Sequence, residues 1–258
     1  MHNLRQIAAL VLMVLLTGAT LASSQEQNKQ GGDDLAAKTQ NPVGAMYSLP
    51  FKFTFDYGAD NGEASFLNIQ PVLPQTIGEW NLIHRIILPL IDTPGGVTGL
   101  PAIPTPVQGD GATGLGDINY SIYLSPADPQ KVIWGIGPSL MMDTASDDQL
   151  GSGKWSTGPT AVILVQPKPW TLGLLGRQLW SFAGDSDRNS VSQMLLEPFI
   201  NYNLEGGWYL ISDMIITANW EADSGNQWTV PFGGGFGKIF KIEFLSFCPF
   251  APLQTSQC

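Results

Sequence analysis

The chain has 258 residues, of which 43% are hydrophobic and only 13% charged, and its formal net charge is −10. That is about half the roughly 25% charge of ordinary soluble domains, and an acidic chain without a basic patch excludes a nucleic-acid partner. Cys248 and Cys258 are its two cysteines, both close to the C-terminus, which excludes a disulfide framework or cysteine metal site for the body of the chain.

In chain order, the first segment carries Arg5, an apolar run from Ile7 to Leu16, and then small residues ending in Ala22. Thr20 and Ala22 suit signal cleavage, so residues 1–22 are expected to be a secretory signal peptide. The apolar run is shorter than the roughly 17–25 residues of a spanning helix, which disfavours a membrane anchor. No cysteine follows it, which disfavours a lipoprotein anchor. Residues 23–40 are mostly polar and are read as a flexible periplasmic leader. Residues 41–50 (NPVGAMYSLP) are too apolar for a free tail and suggest an N-terminal plug.

From Phe51 onward the chain alternates apolar and polar residues. Between Gly116 and Ser125, Ile118, Tyr120, Ile122 and Leu124 fall on one face, with Asp117, Asn119, Ser121 and Ser125 on the other. Strands are expected near 51–57, 66–73, 79–91, 114–125, 131–143, 153–166, 170–183, 190–204, 208–221 and 227–241, about ten in all. Many exceed the five or six residues of a typical soluble strand and suit the roughly 9–11 of a tilted membrane strand. Tight connections (LPQTIG, PADPQ, QPKP, EGG) alternate with longer ones rich in Gly, Asp and Ser. The Pro- and Gly-dense stretch Asp92–Thr113 is one of these, either folded over the barrel mouth or a free surface loop. The expected fold is therefore all-β, an antiparallel transmembrane β-barrel over residues 41–242, in the outer membrane with its N-terminus in the periplasm.

An apolar face recurs at even positions: Trp80, Leu82, Ile86, Leu88; Val132, Trp134, Ile136, Leu140; Met194, Leu196, Ile200, Tyr202; Leu210, Met214 and Ile216. These are expected to face lipid. Glu79, Arg85, Asp117, Arg177, Glu197, Asn201, Asp213 and Asn219 are expected to line the lumen, where charges are costly unless paired or wet, and Arg85 and Arg177 have Glu197 and Asp213 available. Bulges can invert the parity locally. Trp80, Trp155, Trp170, Trp208, Trp220 and Trp228 fall near strand ends, where interfacial aromatic belts place tryptophan. The acids of the long connections (Asp143, Asp147, Asp148; Asp185, Asp187; Glu221, Asp223) serve solubility, or alternatively hold divalent cations that bridge to lipopolysaccharide.

Little here points to catalysis. His84 is the sole histidine after the signal, it falls on the apolar face, and no GxSxG elbow accompanies it. The chain is read as a non-enzyme with no cofactor and no metal site. Gly233–Gly237 (GGGFG) opens no helix and is read as a strand corner, not a phosphate loop.

Taken together, NPVGAMYSLPF, LNIQPVLP, EWNLIHRIILPLI, TGLGDINYSIYLSP, WGIGPSL, LGSGKWSTGPTAVIL, GDSDRNSVSQMLLEPFINYNLEGGWYL and QWTVPFGGGFGKIFKI resemble the phenol-degradation meta-pathway outer-membrane protein family, often labelled neuromedin U. The resemblance covers roughly Asn41 to Ile242. It implies an outer-membrane barrel passing small hydrophobic or aromatic compounds. It also implies roughly twelve strands in an intact relative, against about ten visible here. Residues 243–258 (EFLSFCPFAPLQTSQC) lack alternation and depart from the family, as a truncation or frameshift near Glu243 would produce. Expected partners are outer-membrane lipid and lipopolysaccharide, the barrel-assembly machinery and a small apolar molecule. The rival readings are a structural or adhesive barrel without cargo, and an outer-membrane lipid hydrolase.

Overall fold

The computed structural model describes residue 35 and residues 37–59, 62–95, 103–104, 109–128 and 131–239. The expected signal peptide and the tail 243–258 lie outside the described residues. Alternating side chains build fourteen strands: β1 (Phe51–Ala59), β2 (Gly62–Ile69), β3 (Val72–Ile77), β4 (Trp80–Thr93), β5 (Ala112–Leu115), β6 (Ile118–Pro126) and β7 (Val132–Met142). They continue as β8 (Lys154–Val165), β9 (Trp170–Gly184), β10 (Ser192–Asn203), β11 (Trp208–Asp213), β12 (Ile216–Asn219), β13 (Trp228–Thr229) and β14 (Gly235–Lys238).

All fourteen belong to one antiparallel sheet whose main order is β1-β2-β4-β6-β7-β8-β9-β10-β11-β14, ten strands wide. The other four extend tracks already in that order. β2 and β3 pair with successive parts of β4, and β4 meets both β5 and β6 on its other side. β11 and β12 likewise share β10, while β13 and β14 pair with β12 and β11. The first interruption has a plain cause. Pro71 has no N–H to offer the ladder, although its carbonyl still accepts from the Ile86 amide at 3.1 Å.

The sheet is curled. β1 and β11 stand eight intervals apart in the strand order, which in a flat sheet is about 38 Å at roughly 4.8 Å per strand. Yet the Lys52 ammonium of β1 touches the Asp213 carboxylate of β11 at 2.5 Å. The sheet must roll up for these side chains to meet, and its inner face surrounds them.

Strand parity decides what lies on that face. In β4, Asn81, Ile83 and Ile91 are buried, whereas none of the even-numbered apolar residues expected to face outward in β4, β7 and β10 is. The parity reverses in two regions. Residue Val132 pairs with Val165, so even positions of β8 (Ser156, Thr160, Val162, Leu164) turn inward. The pairing of Phe66 with Ile91 does the same for β2, and so for β1. Each connection sets its own offset, so a face rule read from one strand need not carry to the next.

The inner face is not uniformly polar. Val72, Ile83, Tyr123, Val162, Leu164, Leu175, Leu195 and Phe199 form a buried apolar cluster, and Val43 from the segment before β1 joins it. That segment crosses the short-turn end of the sheet. Ala37 accepts from Gln166 Nε2 at 2.6 Å, Gln40 Nε2 donates to Asn203 Oδ1 at 2.7 Å, and Ser48 bridges to Val72. The part of the expected leader from Leu35 to Gln40 that is described is therefore helical or turned and bonded to the sheet.

The long-loop end is covered as well. Ile103 packs with Ala64, Phe66, Ile91 and Leu150, and the Asn219 amide donates to the Pro104 carbonyl at 2.9 Å. The Asp92–Thr113 connection thus places these residues across the mouth, from the β2–β4 wall to β12.

Candidate functional site: the charged interior

Lys52, Arg85, Arg177, Glu197 and Asp213 project into the middle of the curled sheet, and Asp56 shares the inward face of β1 with Lys52. Lys52 of β1 lies 2.5 Å from Asp213 and 3.9 Å from Glu197. Arg85 of β4 donates to Gln70 Oε1 at 2.9 Å. Arg177 of β9 is buried, and the register sets it between Thr160 of β8 and Leu195 of β10. Tyr123 and Thr160 share a hydrogen bond of 3.0 Å beside it. Thr160 Oγ1 donates to the Gly176 carbonyl, so the Tyr123 hydroxyl supplies the proton between them.

Both carboxylates lie in contact with Lys52, while the charge of Glu197 also reaches Arg177 and that of Asp213 reaches Arg85. Lys52 escaped the odd-numbered pattern because β1 has the opposite parity. The signal was nonetheless present: Phe51, Phe53, Phe55 and Tyr57 form one exposed face, which puts Lys52, Thr54 and Asp56 on the other.

Other expected lining residues have different roles. Glu79 is corrected: it is exposed in the two-residue turn between β3 and β4, beyond the sheet, and faces no interior. Asp117 sits in the break between β5 and β6, on the long-loop side of β6. It is buried under residues 144–152, accepting from the amides of Ser152 (2.7 Å), Thr144 and Ala145 (3.2 Å each) and from the Ser152 hydroxyl (2.8 Å). Burial pushes its carboxyl up from the ordinary value, and these hydrogen bonds pull it partly back. Asn201 is buried toward the short-turn end with Oδ1 unpartnered. Asn219 ties the loop through Pro104 and caps the Glu221 amide.

The outer face has a contrasting chemistry. His84 bonds through Nδ1 to the Tyr120 hydroxyl at 2.7 Å and its ring lies parallel to that of Tyr120. Two polar groups on an apolar surface thereby satisfy each other. At the short-turn end, Trp80 meets Trp134 edge-on, Trp170 meets Tyr202, and Trp208 meets Phe236 beneath the Lys238 ammonium. At the long-loop end, Trp155 is exposed and Trp220 packs edge-on against Trp228 while donating to Gln178 Oε1.

No family model, curated protein or solved structure matches the chain. Among the described residues no helix is long and apolar enough to cross a membrane, which says nothing of strands. No group of three or more His, Cys, Asp or Glu side chains able to hold a metal is found among them either.

Proposed function

We propose that this chain is an outer-membrane β-barrel and a passive transporter of small molecules with a substantial apolar part. The observation that carries the reading is the distribution of charge across the curled sheet. Lys52, Arg85, Arg177, Glu197 and Asp213 lie inside, while the outward positions of β6, β7, β9 and β10 hold no Asp, Glu, Lys or Arg. Soluble proteins arrange these the other way round, since hydration favours charge at the surface. Lipid outside and water or polar cargo inside make this arrangement the stable one. The Trp-rich ends of the strands suit two membrane interfaces, and the short-turn end then faces the periplasm. The segment resemblance to the phenol-degradation outer-membrane family supports the same reading.

Val43 at one end and Ile103 with Pro104 at the other cover the interior. Transport therefore requires one or both covers to move aside. A second reading, a structural barrel without cargo, draws support from that same filled interior.

The test is expression of the full chain with its own first residues, followed by membrane fractionation and electrophoresis with and without boiling. Outer-membrane location and heat-modifiable mobility are expected. Recovery as a soluble periplasmic protein of fixed mobility would overturn the barrel. Uptake of benzyl alcohol into vesicles carrying the purified protein then separates transporter from structural barrel.

A further inference from the structure

The two edges of the curled sheet meet through side chains and not through a ladder. Its ten tracks alternate in direction, so β1 and β14, the first and last, run antiparallel to each other. Among the described residues no backbone pairing joins them. The Lys52–Asp213 contact still holds β1 within about 12 Å of β11, the combined reach of two extended side chains. That is between two and three strand spacings of roughly 4.8 Å, and the β13–β14 track takes one of them. A seam is left between β1 and that track. The track is itself loose there. Thr229 pairs with Thr217 and Gly235 with Ile211, but residues 230–234 between them are off the ladder, and Pro231 has no N–H to offer it. Every residue from 230 to 236 is exposed, Phe232 at 92%. Among the described residues, a Cβ on Gly233 would meet nothing within 4 Å. One on Gly234 or Gly235 would meet Ile211 of β11 and nothing of β1.

Glycines in a strand track mark places where a ligand comes close to the backbone. Both ends of the interior are covered, by Val43 and by Ile103 with Pro104, which leaves the seam as the open side among the described residues. Phe51, Phe53, Phe55 and Phe232 are exposed on its outer side. Just inside lie Phe199, which the register sets beside Asp213, and Ile215, which packs against the apolar cluster. We propose that the seam between β1 and Gly233–Gly235 is a lateral portal, through which a small apolar molecule passes between the lipid and the interior. Unpaired backbone at membrane depth is tolerated where it lines a watered, polar interior, and Lys52, Asp56 and Asp213 make this side polar. The portal rests on the barrel-transporter reading and deepens it: with a side exit, cargo crosses after only one cover moves.

The experiment uses the full chain in lipid vesicles, with heat-modifiable mobility as the check on folding. The probe is 3-trifluoromethyl-3-phenyldiazirine, a small apolar photolabel dissolved in the lipid, and labelled residues are read by mass spectrometry. Labelling of the inward Phe199 and Ile215 is expected in the wild type, beside that of the outward Ile163 and Leu174. Gly233→Trp fills the seam and is expected to lower the inward labelling several-fold while leaving the outward labelling unchanged. It is expected to fold, since its side chain enters open space and Gly233 has no left-handed φ. Should it not fold, Gly235→Phe carries the test, with its nearest neighbour, Ile211 Cγ2, at an ordinary 3.7 Å. Equal inward labelling in the wild type and the folded variants overturns the portal alone, since the probe then enters by the ends. Absence of inward labelling in the wild type also overturns it, and a chain ending at Ile239 shows what else falls. If that shorter chain is labelled inside, residues 240–258 occupy the seam and the transporter reading stands. If it too stays unlabelled, the interior admits no apolar molecule and the transporter reading falls as well.

Discussion

Four hydrogen bonds converge on the Asp117 carboxylate, three of them from backbone amides of the loop that follows β7. A carboxylate is suited to this because it accepts several donors and offers none. Asp117→Ala leaves buried amides of Thr144, Ala145 and Ser152 without an acceptor, at a cost of about 3 kcal/mol. The expected result is a lower denaturant midpoint and faster protease cleavage between residues 143 and 153. Asp117→Asn keeps one acceptor oxygen and should fall between the two. Equal protease resistance in all three proteins would show that the carboxylate does not hold the loop. The sequence placed Asp117 on the polar face of its strand, and there it lies. Its three partner residues are thirty or so positions downstream and follow no local pattern, so their meeting was not legible.

At the scale of the strand, the test of the outward face is a charge in its middle. Ile136 of β7 pairs with Leu124 of β6 and Ala161 of β8, all outward and exposed or nearly so. Arginine at a lipid-facing midplane position costs about 2–4 kcal/mol, whereas on a water-facing strand it costs almost nothing. Ile136→Arg is therefore expected to reduce heat-modifiable protein and lower the denaturant midpoint in lipid, with Ile136→Leu as the neutral control. No difference between them would contradict a lipid-facing β7. The ten segments of alternation in the sequence correspond to the ten tracks of the sheet, because a period of two persists for the length of a strand. The four interruptions were harder to see. Pro71 marks one, but nothing local marks the break at Met214–Ile215. The even-numbered outward face holds in β4, β7 and β10 and fails in β1, β2 and β8, since connection length resets parity and composition does not record it. For the same reason Lys52, the cation in direct contact with Glu197 and Asp213, was missed.

At the scale of the molecule, the question is whether the two covers are structural or removable. Val43 is 2% exposed and reaches the apolar cluster from a segment that belongs to no strand of the sheet and is tied to it through Gln40, Ser48 and Pro50. Gly135 of β7 leaves room for it: a Cβ there would lie 2.7 Å from Val43 Cγ1. The sheet has its own ladder throughout, so displacing Val43 should open the short-turn end without unrolling the strands. Val43→Asp places a charge among Ile83, Tyr123 and Leu195, where it is strongly disfavoured, and the segment is expected to swing out to water. Gly135→Val pushes from the opposite side and should do the same by bulk alone. If the barrel conducts, both variants keep heat-modifiable mobility and raise benzyl alcohol uptake into vesicles several-fold. If uptake stays at the level of empty vesicles while mobility is preserved, the remaining interior is solid and the structural reading prevails. If mobility itself is lost, the segment is part of the fold's core, not a cover, and its contacts with Val72 and Asn203 must hold the curl together.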